Sequence, residues 1–160
     1  MSTVSASGSG PQSSLEPLDT AIVRELAKDG RCSFTDLAER VGLSVSAVHQ
    51  RVRRLEQRGV ITRYSAHLDA ESVGLPLTAF ISLTPIDPAA PDDYPQRLKG
   101  IHEIESCYSV AGEESYILLV RVASPAALED LLRRIREAAK VSTRTTVVLS
   151  TPYEGRAPAL

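Results

Sequence analysis

Only two cysteines occur in the 160 residues, Cys32 and Cys107, and they have neither the short spacing of a zinc motif nor the number of a disulfide framework. Both read as free thiols. The three histidines, His49, His67 and His102, form no HxxxH pair, and there is no Gly-rich phosphate loop and no G-x-S-x-G elbow. Catalytic chemistry has no visible seat, so no enzyme, metal or cofactor is expected. No apolar run approaches the roughly 20 residues that cross a bilayer, and the N-terminus lacks an apolar signal core, which predicts a cytoplasmic protein with no membrane partner. A strong basic excess is missing too: the net charge is −2 and the pI near 5.9. The charge is unevenly spread, however. Residues 1–68 hold nine Lys+Arg against seven Asp+Glu, and residues 69–160 nine against thirteen. With 42% hydrophobic content the chain can form two small domains, which bury little surface alone and gain from oligomerisation. The Ser/Gly-rich residues 1–14 are expected to be a disordered tail.

What is present begins at residues 33–59, SFTDLAERVGLSVSAVHQRVRRLEQRG, which read as two short helices broken at Gly42. Ser33 and Asp36 form a capping box for the first, and Ser44 sits where an N-cap opens the second. In the second helix Val48, Val52 and Leu55 point one way, leaving Ser46, His49, Gln50, Arg53, Arg54 and Gln57 on the other side. A major groove admits one helix, and residues near its N-terminus reach base edges. Ser46, Ala47, His49 and Gln50 are so placed, with Ser44 beside them, and Arg51, Arg53, Arg54, Arg58 and Arg63 would hold phosphates. An Arg-rich helix face is also an ordinary solvated face. Three features argue for the DNA reader. A preceding helix, capped by Asp19 and stapled by Leu18 on Val23, brings Ile22, Val23 and Leu26 to a small core. After Gly59 as C′ residue, VITRYSAHL alternates as a strand, which makes the motif a winged one. The positive charge, finally, is concentrated where the helices are.

From Leu75 the pattern reads as a strand (75–86), a short helix (91–100), a strand (104–111), a turn (112–115), a strand (116–123), a helix (125–139) and a last strand (142–150). This is βαββαβ, a ferredoxin-like arrangement. The fold class is thus α+β, a winged helix-turn-helix domain followed by a ferredoxin-like domain. Leu128, Leu131, Leu132 and Ile135 give the long helix one apolar stripe for the sheet. In YILLVRVA, however, nearly every residue is apolar on both faces, and a sheet with one side in water should alternate. The economical cover for the second face is an identical sheet from another copy, giving a two-fold homodimer. The expected organisation is 1–14 tail, 15–60 helix-turn-helix domain, 61–74 linking strand or hinge, 75–151 second domain and 152–160 tail.

Four blocks, LDTAIVRELAKDGR, VGLSVSAVHQRVRRLEQRGVI, YSVAGEESYILLVRV and TRTTVVL, carry a resemblance over residues 18–151 to the Lrp/AsnC (leucine-responsive/asparagine-responsive, feast/famine) family of prokaryotic transcription regulators. The resemblance implies an N-terminal DNA-binding domain and a C-terminal domain for regulation of amino-acid metabolism, called RAM. It implies dimers assembling into tetramers, octamers or larger rings on double-stranded, pseudo-palindromic DNA sites, with an amino acid as effector. In such proteins the effector lies between subunits against the turn before the third RAM strand and a Thr-x-Thr in the last one. The matching positions are Ala111, Gly112, Glu113, Glu114, Ser115 and Tyr116, with Thr143 and Thr145. Backbone N–H groups of a Gly-rich turn suit a carboxylate, and side-chain oxygens suit an ammonium. Many members carry Asp where this chain has Ser115, which leaves the ammonium to Glu114. Taken from residues alone, a Glu-rich turn is equally a solvated turn and strand threonines serve β-propensity. Two other readings stay open at this level: an amino-acid-binding regulatory subunit of a metabolic enzyme, and an interaction module whose helices only scaffold a dimer.

Overall fold

The structure, a computed structural model, describes residues 15–87 and 89–157, so the expected N-terminal tail lies outside the described residues. The chain divides into two compact units, the first comprising Met1–Ala66 with Gly155–Leu160 and the second His67–Glu154. Two hydrophobic clusters with no residue in common give each unit its own core.

The first unit contains α1 (Pro17–Lys28), α2 (Phe34–Val41) and α3 (Val45–Gln57). The Asp36 N–H donates to Ser33 Oγ at 3.1 Å while the Ser33 hydroxyl donates to the Asp36 carboxylate at 2.7 Å, so the pair closes the start of α2. Ser44 Oγ accepts the Ala47 N–H at 3.2 Å and opens α3. Gly42, at φ 68°, lets the Leu43 N–H return to the Ala38 carbonyl at 3.0 Å. Gly59, at φ 69°, does the same after α3, with the Val60 N–H on the Leu55 carbonyl at 2.9 Å. Residues with a Cβ lose roughly 1–2 kcal/mol in that backbone region, which is why both stops are glycine. Ile22, Leu37, Ala38, Val48, Val52 and Leu55 are buried together between the three helices.

Two expectations for this unit are corrected. Pro17 occupies the first turn of α1 and Glu16 its N-cap, so Asp19 lies inside the helix and does not cap it. Proline's fixed φ and missing N–H suit that first turn. Leu15 consequently packs beside the core at the helix entry, whereas Leu18, the expected staple, is exposed. The strand expected over VITRYSAHL is also absent: no ladder forms between Gln57 and Leu77. A strand needs a paired neighbour for its N–H and C=O groups, and among the described residues no strand lies beside this segment. Tyr64 instead turns back, its hydroxyl donating to Glu56 Oε1 at 3.0 Å. Burial first, then the Glu56 carboxylate, push its phenol up to about 12, so it remains a donor throughout the ordinary pH range. Within the expected hinge, the Ser72 N–H donates to the Asp69 carboxylate at 2.7 Å and the Leu75 N–H to the Ala70 carbonyl at 2.8 Å, making a turn.

The second unit runs β1 (Leu77–Pro85), α4 (Tyr94–Leu98), β2 (Ile104–Ser109), β3 (Tyr116–Val122), α5 (Pro125–Ala139) and β4 (Val141–Val147). The sheet order is β2-β3-β1-β4 with every neighbouring pair antiparallel, the ferredoxin-like topology. The helix expected over 91–100 is only α4, with Pro95 in its first turn and Gly100 just beyond its end. On one face Ala79, Ile81, Leu83, Tyr116, Leu118, Val120, Val122 and Val141 pack against Leu128, Leu131, Ile135 and Ala139 of α5 and Tyr94 and Leu98 of α4. The alternate residues lie on the other face. Phe80 stands in register with Leu119 and Thr146, and Ser82 with Ile117 and Arg144. Here Phe80 is 41% and Tyr108 52% exposed, beside the half-buried Ile117. Together with Val110 they line an apolar depression of about 490 Å³ bordered by Ser82, Glu114, Arg144 and Thr146.

Candidate DNA-reading face and effector turn

At 100° per residue the buried Val48, Val52 and Leu55 seat α3 on α1 and α2, and the opposite side carries Ser46, Gln50, Arg53 and Gln57, all exposed. His49 is exposed at the edge of that side, and the edge of its ring meets the Phe34 ring at a centroid distance of 5.1 Å and 72°. Arg58 and Arg63 present exposed side chains further along the unit. Ala47 is half-buried and has no polar side-chain atom, while the exposed Ser44 uses its Oγ as the cap acceptor and lies 3.2 Å from Ser46 Oγ.

Arg51 is the exception among the candidate phosphate ligands. It flanks the buried stripe, and its Nη1 lies 2.6 Å from Asp19 Oδ1 and 2.9 Å from Glu16 Oε2. Asp19 is 1% exposed, so removing its partner would strand a desolvated carboxylate. Those two acceptors, Asp19 first, hold the Arg51 guanidinium still further above its already high pKa. Arg51 is therefore engaged inside the unit and is withdrawn from the phosphate set. Arg54 Nη2 lies 3.6 Å from the second Asp19 oxygen but keeps half of its side chain in solvent. This anchor is not legible in the sequence, because an aspartate in a first helical turn reads as a cap or as a partner of the helix dipole.

In the second unit the turn between β2 and β3 closes with the Val110 N–H on the Ser115 carbonyl at 3.1 Å and the Ser115 N–H on the Leu83 carbonyl at 3.0 Å. That places the turn beside the end of β1, and β1 carries it to β4. Glu113, Glu114 and Thr143 accordingly meet in a polar depression of about 180 Å³, with Thr84, Ser142 and Arg144. The other candidates are not in its lining. Ala111 and Gly112 are exposed, the Ser115 N–H is already used, and Thr145 pairs with Ile81 further along the strand. Tyr116 is corrected outright: it is buried in the core with its hydroxyl donating to Asp92 Oδ1 at 2.8 Å, because strand alternation turns it toward the helices. The Asp92 acceptor, with burial second, raises its phenol above the ordinary range. Thr143 Oγ1 accepts from Arg136 Nη1 at 3.2 Å. Arg144, which the sequence reading passed over between its two threonines, forms an ion pair with Glu114.

The Gly-rich turn does not need its glycine for conformation. Gly112 has no positive φ, and a Cβ placed on it would meet only the Glu114 carboxylate at 3.7 Å. Gly112→Ala is therefore expected to be near-neutral for stability, a change within about 0.5 kcal/mol in urea unfolding. A loss beyond about 1 kcal/mol would show that the turn depends on glycine after all.

Residues 15–62 match the winged helix-turn-helix DNA-binding family, and residues 78–158 match the Lrp/AsnC ligand binding domain. The chain is 61% identical over 142 residues to the HTH-type transcriptional regulator LrpA of Mycobacterium tuberculosis, covering 89% of this chain and 95% of that protein. It is 37% identical over 144 residues to the leucine-responsive regulatory protein of Escherichia coli, covering 87% of each. A solved structure of the M. tuberculosis feast or famine regulatory protein complexed with L-methionine has a TM-score of 0.88 at 60% identity, covering 90% of this chain and 98% of that one. With both units matched in order and nearly full-length relatives named as transcriptional regulators, this chain belongs to the Lrp/AsnC family of DNA-binding transcriptional regulators.

Proposed function

We propose that the protein binds duplex DNA as a dimer through the exposed side of α3, and that a free amino acid at the β2–β3 turn changes that binding. The observation that carries the first part is the fixed roll of α3. Val48, Val52 and Leu55 on the core and Arg51 on the buried Asp19 hold one side inward, which presents Ser46, His49, Gln50 and Arg53 outward. Arg53, Arg54, Arg58 and Arg63 hold phosphates, and the Ser46, His49 and Gln50 side chains lie nearer the bases. A second copy covers the sheet face bearing Phe80, Tyr108, Ile117 and Leu119. Two α3 helices related by a two-fold axis then meet half-sites about 34–36 Å apart, so the operator is a pseudo-palindrome. This chemistry belongs in the cytoplasm with the chromosome. Among the described residues no helix is long and apolar enough to cross a membrane.

Glu113, Glu114, Thr143 and Arg144 support the amino-acid reading by converging on one polar depression. The methionine complex of the M. tuberculosis relative points to the same ligand class. A ligand shifts an equilibrium only by its difference in affinity for two states, so the effector acts by favouring one subunit packing over another. A coupling of about 1–3 kcal/mol corresponds to roughly 5 to 150-fold in DNA affinity. Regulation of a metabolic enzyme by the same fold is the less supported reading, since the matched relatives are transcriptional regulators.

Gel-shift titration over a range of salt concentrations tests the interface. Arg53→Ala is expected to weaken binding on all sequences and to flatten the salt dependence by about one unit of slope per lost phosphate contact. Gln50→Ala is expected to relax discrimination at one base step by roughly 1–3 kcal/mol. Unchanged slope and unchanged specificity in the two variants would remove α3 from the interface.

A further inference from the structure

We propose that Asp19 is a positioning residue for DNA binding: one of its carboxylate oxygens ties α3 to α1 through Arg51, and the other steadies the Arg54 guanidinium at the rim of the reading side, where Arg54 meets a backbone phosphate. The inference rests on the DNA reading above and adds to it a buried acidic residue that acts on DNA through another side chain.

Among the described residues Asp19 is the one buried side chain that carries a charge, and such a group is rarely enclosed without a partner. Its two oxygens are divided between two arginines of α3. Arg51 Nη1 lies 2.6 Å from Oδ1 and also 2.9 Å from Glu16, while Arg54 Nη2 lies 3.6 Å from Oδ2. The shorter contact is a charge-assisted hydrogen bond, whereas the longer one is held by charge attraction alone. Access differs as well, since the Arg51 side chain is 22% exposed and the Arg54 side chain 49%. Steps of three and four residues put Arg54 about 60° around the helix from Arg51 and about 40° from Gln50. It therefore stands on the border between the side turned to α1 and the side turned to solvent. Nη2 faces Asp19, and the other guanidinium donors remain for an anion arriving from outside.

A long side chain that becomes ordered only on binding costs the complex roughly 2- to 12-fold in affinity. Asp19 is short and enclosed, which makes it a rigid acceptor, so Arg54 is ordered before DNA arrives and that cost is lowered. The planar guanidinium suits the arrangement, because its donors lie in a fixed fork that can keep Asp19 on one edge and a phosphate on another. A lysine ammonium in its place is a point charge without that fork. Electrostatics without positioning has the opposite sign. A carboxylate near a polyanion repels it, so by charge alone the loss of the Asp19 charge should tighten DNA binding. Positioning requires that the same change weaken it.

The test is a set of gel-shift titrations of the full chain on two labelled duplexes of unrelated sequence, each at several salt concentrations, with circular dichroism to establish that every variant is folded at the assay temperature. Asp19→Asn is expected to weaken binding about three- to tenfold on both duplexes without lowering the salt slope. Arg54→Lys keeps the charge and loses the fork, so it should lose a similar factor at an unchanged slope, whereas Arg54→Gln should lower the slope by about one unit. Asp19→Asn added to Arg54→Lys is expected to cost nothing further. A role confined to folding would carry its full loss into the double variant. Three results overturn the proposal: Asp19→Asn binding as tightly as the unmodified protein or more tightly, an Asp19→Asn loss that persists beside Arg54→Lys, or an Arg54→Lys protein of undiminished affinity. Should Asp19→Asn fail to fold, the Arg54→Lys measurement decides alone. An unchanged slope in Arg54→Gln beside a lowered one in Arg53→Ala overturns this inference and leaves the DNA reading standing, and an unmodified protein that binds neither duplex overturns both.

Discussion

Replacing Leu55 by alanine is expected to unfold the helical unit while the sheet unit stays folded. Leu55 is fully buried, and among the described residues Ile22, Leu37, Ala38, Val48 and Val52 share the interior of that cluster with it. Deleting a buried leucine side chain typically costs about 2–5 kcal/mol, because the transfer free energy is lost and a cavity remains. A core this small leaves a margin of about the same size. The sheet unit has a separate cluster of buried residues, so the damage is local. Circular dichroism should show loss of helical signal at a lower temperature, followed by a second transition near that of the unmodified protein, and DNA binding should be abolished. A single transition at the original temperature, with DNA binding retained, would show that the helical core tolerates the cavity.

An equally large effect is expected at the open sheet face. Phe80→Glu puts a carboxylate at the centre of the proposed dimer contact, and the two-fold axis brings two of them into one interface. Burying an unpaired charge costs several kcal/mol, and each 1.4 kcal/mol is about tenfold, so the dimer dissociation constant should rise by about three orders of magnitude. Phe80 is partly exposed in the single chain, which means the substitution spares the interior of the fold. Leu119→Glu, on the same face and in register with Phe80, should act alike. Light scattering at micromolar concentration distinguishes the outcomes: a dimer or larger for the unmodified protein and a monomer for each variant. A monomeric unmodified protein would remove the dimer, and a dimeric Phe80→Glu protein would place its interface elsewhere.

Local rules act over a few residues, and what depends on them was legible beforehand. Ser33 with Asp36, Ser44, Gly42 and Gly59 mark the ends of α2 and α3 because a cap or a left-handed stop is set by neighbours within one turn. The spacing of Val48, Val52 and Leu55 names the buried side of α3, and Leu128, Leu131 and Ile135 that of α5. Where more distant partners compete, the same rules fell short. Tyr116 follows the turn directly in sequence, yet the strand's alternation and the Asp92 carboxylate draw it into the core. The alternation in VITRYSAHL is that of a strand, but a strand exists only beside another one.

By itself the sequence determined the order of the elements from β1 to β4, the ends of α2 and α3, the apolar stripes and membership in a family of DNA-binding regulators, because each is written in short-range spacing or in matched blocks. Only the tertiary structure decided that Arg51 pairs with the buried Asp19, that position 112 has no left-handed backbone, and that Glu114 meets Arg144. Thirty-two residues separate the first of these pairs and thirty the last. The reason is physical. A charged side chain's partner is set by which surfaces the core brings together, and that closeness is created by packing, not by neighbourhood along the chain.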